Sequence, residues 1–190
     1  MTEAIKERNR LTLAALELTR DKNYHRLPQS EQVHLIKEVL NIGEEVAKWV
    51  SAEYGTSDPR ALAEKLGVKV FGAEGGQIRG SEYRPGTPGE IVISRKLLDR
   101  LHKEVTLPDL SDRILRFVIA HELFHHLEKT RIGLVYKRFA FPGPFWTKWY
   151  IKGLSEVAAQ SFTQALLGIE ISPQVFDYLT YILFTCLRPD

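Results

Sequence analysis

Apolar residues recur at helical spacing through the first part of the chain, where Leu11, Ala14, Ala15 and Leu18 form one stripe and Ile36, Leu40, Gly43, Ala47 and Val50 another. Leu27-Pro28-Gln29-Ser30 interrupts the pattern, and Ser30 is placed to cap the second helix. Residues 1–55 therefore predict two amphipathic helices. Such pairs are scaffold far more often than helix-turn-helix readers of DNA. Next, Ser57-Asp58-Pro59 supplies a cap with proline early in a helix, and Gly67 stops it after Ala61-Leu62-Ala63-Glu64-Lys65-Leu66.

Beyond Gly67 the period changes to alternation, through Val68 and Val70, then Gln77-Ile78-Arg79, then Glu90-Ile91-Val92-Ile93-Ser94 after a turn at Pro85-Gly86-Thr87-Pro88-Gly89. A small antiparallel sheet is expected there. The glycines at 72, 75, 76 and 80 match no phosphate-binding pattern and read as turns. Helical spacing returns over 95–103 and over 111–129, the latter opening on Ser111 and Asp112 as cap and favourable negative charge. An irregular aromatic stretch over 130–150 precedes helices at 154–167 and 172–187. The fold class is α+β, mostly helical, with a 1–55 extension packed on a domain spanning 56–190.

Composition narrows the function classes. The 190 residues are 44% hydrophobic and 26% charged, as in ordinary globular chains, and a net charge of +2 gives no global attraction to nucleic acid or anionic lipid. Cys186 is the single cysteine, which excludes an internal disulfide and a multi-cysteine zinc site and fits a reducing compartment. The amino-terminal residues do not read as a signal peptide, and the apolar tract 178–187 is about half the length that crosses a bilayer. A cytoplasmic protein with no membrane partner and no direct nucleic-acid contact is expected.

The candidate chemistry lies in His121-Glu122-Leu123-Phe124-His125. Two histidines four apart on a helix stand one turn from each other on one face, within reach of a single ion. Glu122, about 100° around the helix, can flank that ion as a base rather than a ligand. Amide hydrolysis needs a nucleophile at neutral pH, which a zinc site with an open position provides. The motif arises by chance often enough that context decides. Phe117, Val118, Ile119, Ala120, Leu123 and Phe124 surround it with apolar side chains, where two imidazoles need partners.

Zinc needs a third protein ligand, and no histidine follows His126, so a carboxylate must serve. Glu156 is the candidate, early in a helix whose Ala159 permits close approach and whose Phe162 anchors it. Glu128, on the motif helix itself and expected to point nearly opposite His121's face, and Glu170, beyond the next helix, are the weaker alternatives.

These residues in this order resemble the ImmA/IrrE family of metallopeptidases, with its alanine-led HExxH followed by a helix of ExxAN-x-FA pattern and a leucine pair. The matching residues are Ala120 to His125, then Glu156, Ala159, Gln160, Phe162 and Leu166-Leu167, and the likeness covers about residues 57–170. The resemblance implies a zincin-like fold, a Zn2+ cofactor held by His121, His125 and Glu156, Glu122 as catalytic base, and cleavage of a helix-turn-helix repressor as protein substrate. Phe124 stands where the family has a small residue, Gln160 replaces its asparagine, Thr163 its alanine, and Gly168-Ile169 its Met-Pro. Phe124 either narrows the site or alters helix packing.

The 130–150 stretch carries Tyr136-Lys137-Arg138-Phe139 and Phe145-Trp146-Thr147-Lys148-Trp149-Tyr150, a mixture of cations and rings of the kind that binds peptide, nucleic acid or a membrane surface; it reads first as a loop folded over the core, with a substrate-side wall as second reading. Tyr136 and Tyr150 are candidate oxyanion donors, His126 a supporting or surface residue, and Cys186 a buried apolar one. The expected function is zinc-dependent peptide-bond hydrolysis; the alternative is a non-catalytic zinc-binding interaction module on the same scaffold.

Overall fold

The computed structural model describes residues 3–74, 80–104 and 108–169. Helix α1 (Glu3–Leu18) leads through a 3-10 turn at Tyr24–Arg26 into α2 (Gln29–Tyr54) and the short α3 (Pro59–Lys65). Strands β1 (Lys69–Ala73), β2 (Ser81–Arg84) and β3 (Glu90–Ser94) follow, then α4 (Arg95–Glu104) and α5 (Pro108–Leu127), which runs on into a π-helical turn at Glu128–Ile132. A one-turn α6 (Val135–Arg138), a two-residue hairpin of β4 (Phe141–Pro142) and β5 (Lys148–Trp149), and α7 (Gly153–Leu167) complete the order.

The local signals set several boundaries. Asp58 caps α3, accepting from the Arg60 and Ala61 N–H groups at 2.9 and 3.0 Å, with Pro59 at the first position, and Gly67 turns the chain at φ 68°. Ser30 does not cap α2. Pro28 holds that position at φ −56°, and its carbonyl accepts from the Glu31 and Gln32 N–H groups, so Ser30 falls inside the first turn. Likewise α5 begins at Pro108 rather than at Ser111; the Ser111 hydroxyl donates to the Leu101 carbonyl, and Asp112 pairs with Arg60 and Arg116.

The sheet is mixed, which corrects the antiparallel expectation. Its order is β1-β3-β2, with β1 parallel to β3 from Lys69↔Glu90 to Ala73↔Ser94 and β2 antiparallel to β3 from Ser81↔Ile93 to Arg84↔Glu90. Alternating residues specify which face is buried, not the direction of the neighbouring strand. Both edges of β3 are thus paired and its residues 91–94 are buried, so no extended peptide can add beside it. The expected strand residues Gln77-Ile78-Arg79, the helix at 172–187 with Cys186, and Glu170 lie outside the described residues.

Helix α2 lies along α7 at near backbone contact. A Cβ on Gly43 would fall on the Ala158 carbonyl oxygen and within 2.7 Å of the Phe162 nitrogen, and the Ser161 hydroxyl donates to the Leu40 carbonyl at 2.6 Å. On its other side α7 packs on α5, which in turn contacts α3, β2 and β3. One apolar cluster runs through these elements, from Leu18, Val39 and Val50 through Leu62, Ile91 and Leu97 to Leu123, Phe124 and Phe162. The small side chains of Ala158 and Ala159, both fully buried, let α7 sit between the two longer helices. Among the described residues no helix is long and apolar enough to cross a membrane.

Candidate metal centre

Helix α5 presents His121 and His125 one turn apart, with ring centroids at 5.0 Å and Nε2 atoms at 3.3 Å. From α7, Glu156 reaches both: Oε2 lies 3.3 Å from His121 Nε2 and Oε1 3.7 Å from His125 Nε2. One ligand atom from each of the three residues falls within 4.8 Å of the others. All three side chains are partly exposed, so the cluster opens to solvent on one side.

The donor set fits a divalent ion of borderline softness. Four tetrahedral ligands at 2.0–2.1 Å from zinc stand about 3.3 Å from one another, which matches the separation of the two imidazole nitrogens and of His121 from the carboxylate. Two imidazoles and one carboxylate, with one side open, form the type of set that leaves a coordination position free. The same donors also suit other first-row divalent metals.

Without a metal the three groups form a short ion-pair network. Burial alone would lower the His125 pKa, but hydrogen bonds to Glu128 and Glu156 outweigh it and the group is pushed up to about 10. For His121 burial likewise opposes the charge, and Glu156 overcomes it, raising the pKa. Burial works to raise the Glu156 pKa, yet the two imidazoles hold its carboxyl well below the usual carboxylate range. The network is a charge arrangement that a cation of higher charge can replace.

Two neighbours of the motif were not singled out by sequence reading for the parts they play. The Ser81 hydroxyl, on β2, donates to Glu122 Oε1 at 2.7 Å, while Glu122 is only 7% exposed. Nothing in a serine 41 residues away signals that contact. Glu128 is the other. Considered above only as a ligand, it is instead buried behind His125, with Oε2 3.1 Å from Nδ1. Its Oε1 accepts from the Val135 N–H at 2.8 Å and from the Ser155 hydroxyl at 2.5 Å. Seven residues after His121, it returns to within about 20° of that residue's face, so a signal for it did exist in the spacing.

The remaining candidates fall elsewhere. Phe124 is fully buried and packs on Phe162, ring centroids 5.4 Å apart, so it belongs to the α5–α7 contact and does not narrow the site. His126 turns to the sheet, its Nδ1 3.0 Å from the Tyr83 hydroxyl, and burial, with Arg131 nearby, lowers its pKa. Tyr136 and Tyr150 pack edge to face on each other at 6.0 Å, and neither hydroxyl is hydrogen-bonded to the three donors. Comparisons with protein-family profiles, with curated proteins and with solved structures find no match for this chain.

Proposed function

We propose that this chain is a zinc-dependent endopeptidase of the ImmA/IrrE type, with His121, His125 and Glu156 as metal ligands and Glu122 as general base. The observation that carries the reading is the convergence of those three donors at tetrahedral spacing, with a carboxylate on the next residue of the same helix. A zinc ion bound there supplies Lewis acidity and a nucleophile at neutral pH.

The chain's own residues then divide the work. Ser81 occupies Oε1 of Glu122, which orients the carboxylate and leaves Oε2 to take a proton from the attacking water and return it to the leaving amine. Glu128 keeps the His125 Nδ1 proton in place and so turns Nε2 toward the metal. An extended substrate adds to β2, the edge strand whose first residue touches Glu122, rather than to the enclosed β3. The likeness to ImmA/IrrE peptidases makes a helix-turn-helix repressor the proposed substrate and the cytoplasm the proposed compartment, in keeping with a single cysteine.

The test is Glu122→Gln in the zinc-loaded chain, incubated with the regulators encoded beside its gene. The reading predicts one zinc per chain in both proteins and cleavage by the parent only. Cleavage retained in the variant removes Glu122 from its role. If neither protein cleaves any neighbour-encoded regulator or an unfolded casein while both hold zinc, the site is a metal-binding module instead.

A further inference from the structure

The aromatic connector carries a feature that the metal centre does not use. At the turn of the β4–β5 hairpin, Phe145 and Trp146 are 95% and 101% exposed, and both hold left-handed backbone, φ 54° and 64°. Non-glycine residues adopt that region rarely, and large apolar ones more rarely still.

The hairpin beneath them is firmly built. Gly143 N–H donates to the Thr147 carbonyl at 2.8 Å, the Thr147 hydroxyl to Pro144 at 2.6 Å, and the Trp149 indole to the Pro142 carbonyl at 2.9 Å. Phe141 stacks on Trp149 at 4.5 Å, and the Arg26 guanidinium covers the Trp149 ring. Asn23 ties the following residue down through the Tyr150 carbonyl. Bracing therefore runs to the α1–α2 connection. A stiff base presents two apolar side chains to water.

The charge of the chain segment that carries them is one-sided. From residue 129 to residue 155 the chain has six cations, Lys129, Arg131, Lys137, Arg138, Lys148 and Lys152, and no Asp or Glu. All six are exposed and none pairs with a carboxylate among the described residues; Lys129 lies over the Tyr83 ring of β2, while Lys148 stands on β5 beside the turn itself. Without them the remaining 20 Lys and Arg face 24 acidic residues, so the net positive charge of the whole chain resides in this segment.

We infer that the Phe145-Trp146 turn is a docking element for an anionic membrane surface: the two rings enter the interface, Lys148 beside them meets the headgroups, and the positive charge of the segment draws it there. Two aromatic side chains offer about 300–500 Å² of contact, short of the roughly 800 Å² per partner of a standard protein interface. A bilayer needs no such complementary area. Aromatic rings and snorkelling lysines are the residue types that settle at the headgroup level, and basic residues draw a protein to anionic lipid over about a Debye length. The expectation of no membrane partner rests on spanning segments, total charge and a connector folded over the core; local docking depends on neither of the first two, and the exposed Phe145 and Trp146 depart from the third. The inference stands whether or not the metal centre cleaves peptides.

The test is co-sedimentation of the full chain with vesicles of phosphatidylcholine alone and of three parts phosphatidylcholine to one part phosphatidylglycerol. Partition onto the anionic vesicles is expected to exceed that onto neutral ones by about tenfold or more, with a blue shift of tryptophan fluorescence. The double variant F145G/W146G suits the left-handed backbone, so its circular dichroism and melting should stay close to the parent's while vesicle binding falls about tenfold. Lys148→Glu should reduce the preference for anionic lipid. Equal partition of the parent and the double variant overturns the proposal, as does failure of the parent to bind anionic vesicles. Single-stranded DNA or a second copy of the chain, bound by the parent and released by the double variant while vesicles bind neither, assigns the turn to that partner and equally overturns it.

Discussion

Oε2 of Glu128 lies 3.1 Å from Nδ1 of His125, and the carboxylate is otherwise spent on the Val135 N–H and the Ser155 hydroxyl. One buried acid thereby links the end of the motif helix, the start of α6 and the first turn of α7. That placement fixes the His125 ring on the same construction that carries Glu156. Glu128→Gln keeps the shape but replaces an anionic acceptor by an amide, and zinc affinity should fall about 10- to 100-fold. Competition against a chromophoric chelator measures this. Unchanged affinity would leave Glu128 with a folding role only.

Metal uptake should release protons. His125, pushed up to about 10, is an imidazolium at neutral pH in the metal-free chain, and it must lose its Nε2 proton to bind. Apparent zinc affinity is therefore expected to rise about tenfold per pH unit for each proton displaced, up to near pH 10. Calorimetry in buffers of different ionisation heat counts the protons. A binding enthalpy independent of buffer contradicts the arrangement.

The same shifts set the pH dependence of the metal-free fold. His125 has a folded pKa above its unfolded value of about 6.5, so its contribution is complete below that pH and is lost as pH rises through about 10. Glu156, held low, contributes above the ordinary carboxylate range and loses that contribution as pH falls below it. Thermal melts of the metal-free protein should drop from pH 7 toward pH 10 and also on acidification. Zinc should flatten the alkaline limb.

Gly43→Ala should disturb the site from a distance. The added methyl meets the Ala158 carbonyl and the Phe162 nitrogen, which are backbone and cannot swing aside. Overpacking of this kind costs about 1–3 kcal/mol, or a fall in Tm of roughly 3–10 °C for a chain of this size. Because α7 carries Glu156, zinc affinity should weaken as well. An unchanged melt would contradict the close approach of α2 and α7.

Ser81→Ala removes the donor on Glu122 Oε1 without touching a ligand. We expect turnover to fall about tenfold, as the base loses its orientation, with zinc affinity unaltered. A parallel loss of metal would show that Ser81 serves the fold of the site rather than its base.

Much of this was legible in the chain, for reasons that differ by residue. Two histidines at helical spacing and a glutamate on the following small-residue helix are local patterns, and helix geometry converts spacing into position. The Asp58 cap, Pro59 and Gly67 are equally local. Strand direction was not legible, because Val70, Ile91 and Ile93 alternate in the same way whether β1 runs with or against β3. Ser81 was hidden by its distance in sequence from Glu122. Glu128 stays out of the three-donor cluster, as expected, but its direction was misjudged: seven residues on it returns to nearly the His121 face, where it partners the back of an imidazole. Phe124 illustrates the same limit: only packing reveals that it faces Phe162.

The central claim is that two imidazoles and one carboxylate of this chain hold zinc. X-ray absorption at the zinc edge, on protein loaded with one equivalent, tests it most directly. The account predicts stoichiometric uptake and a first shell of nitrogen and oxygen at about 2.0–2.1 Å with two imidazole signatures, one of which is lost in His121→Ala. Failure to take up stoichiometric zinc, or a shell with sulfur at about 2.3 Å, would contradict it.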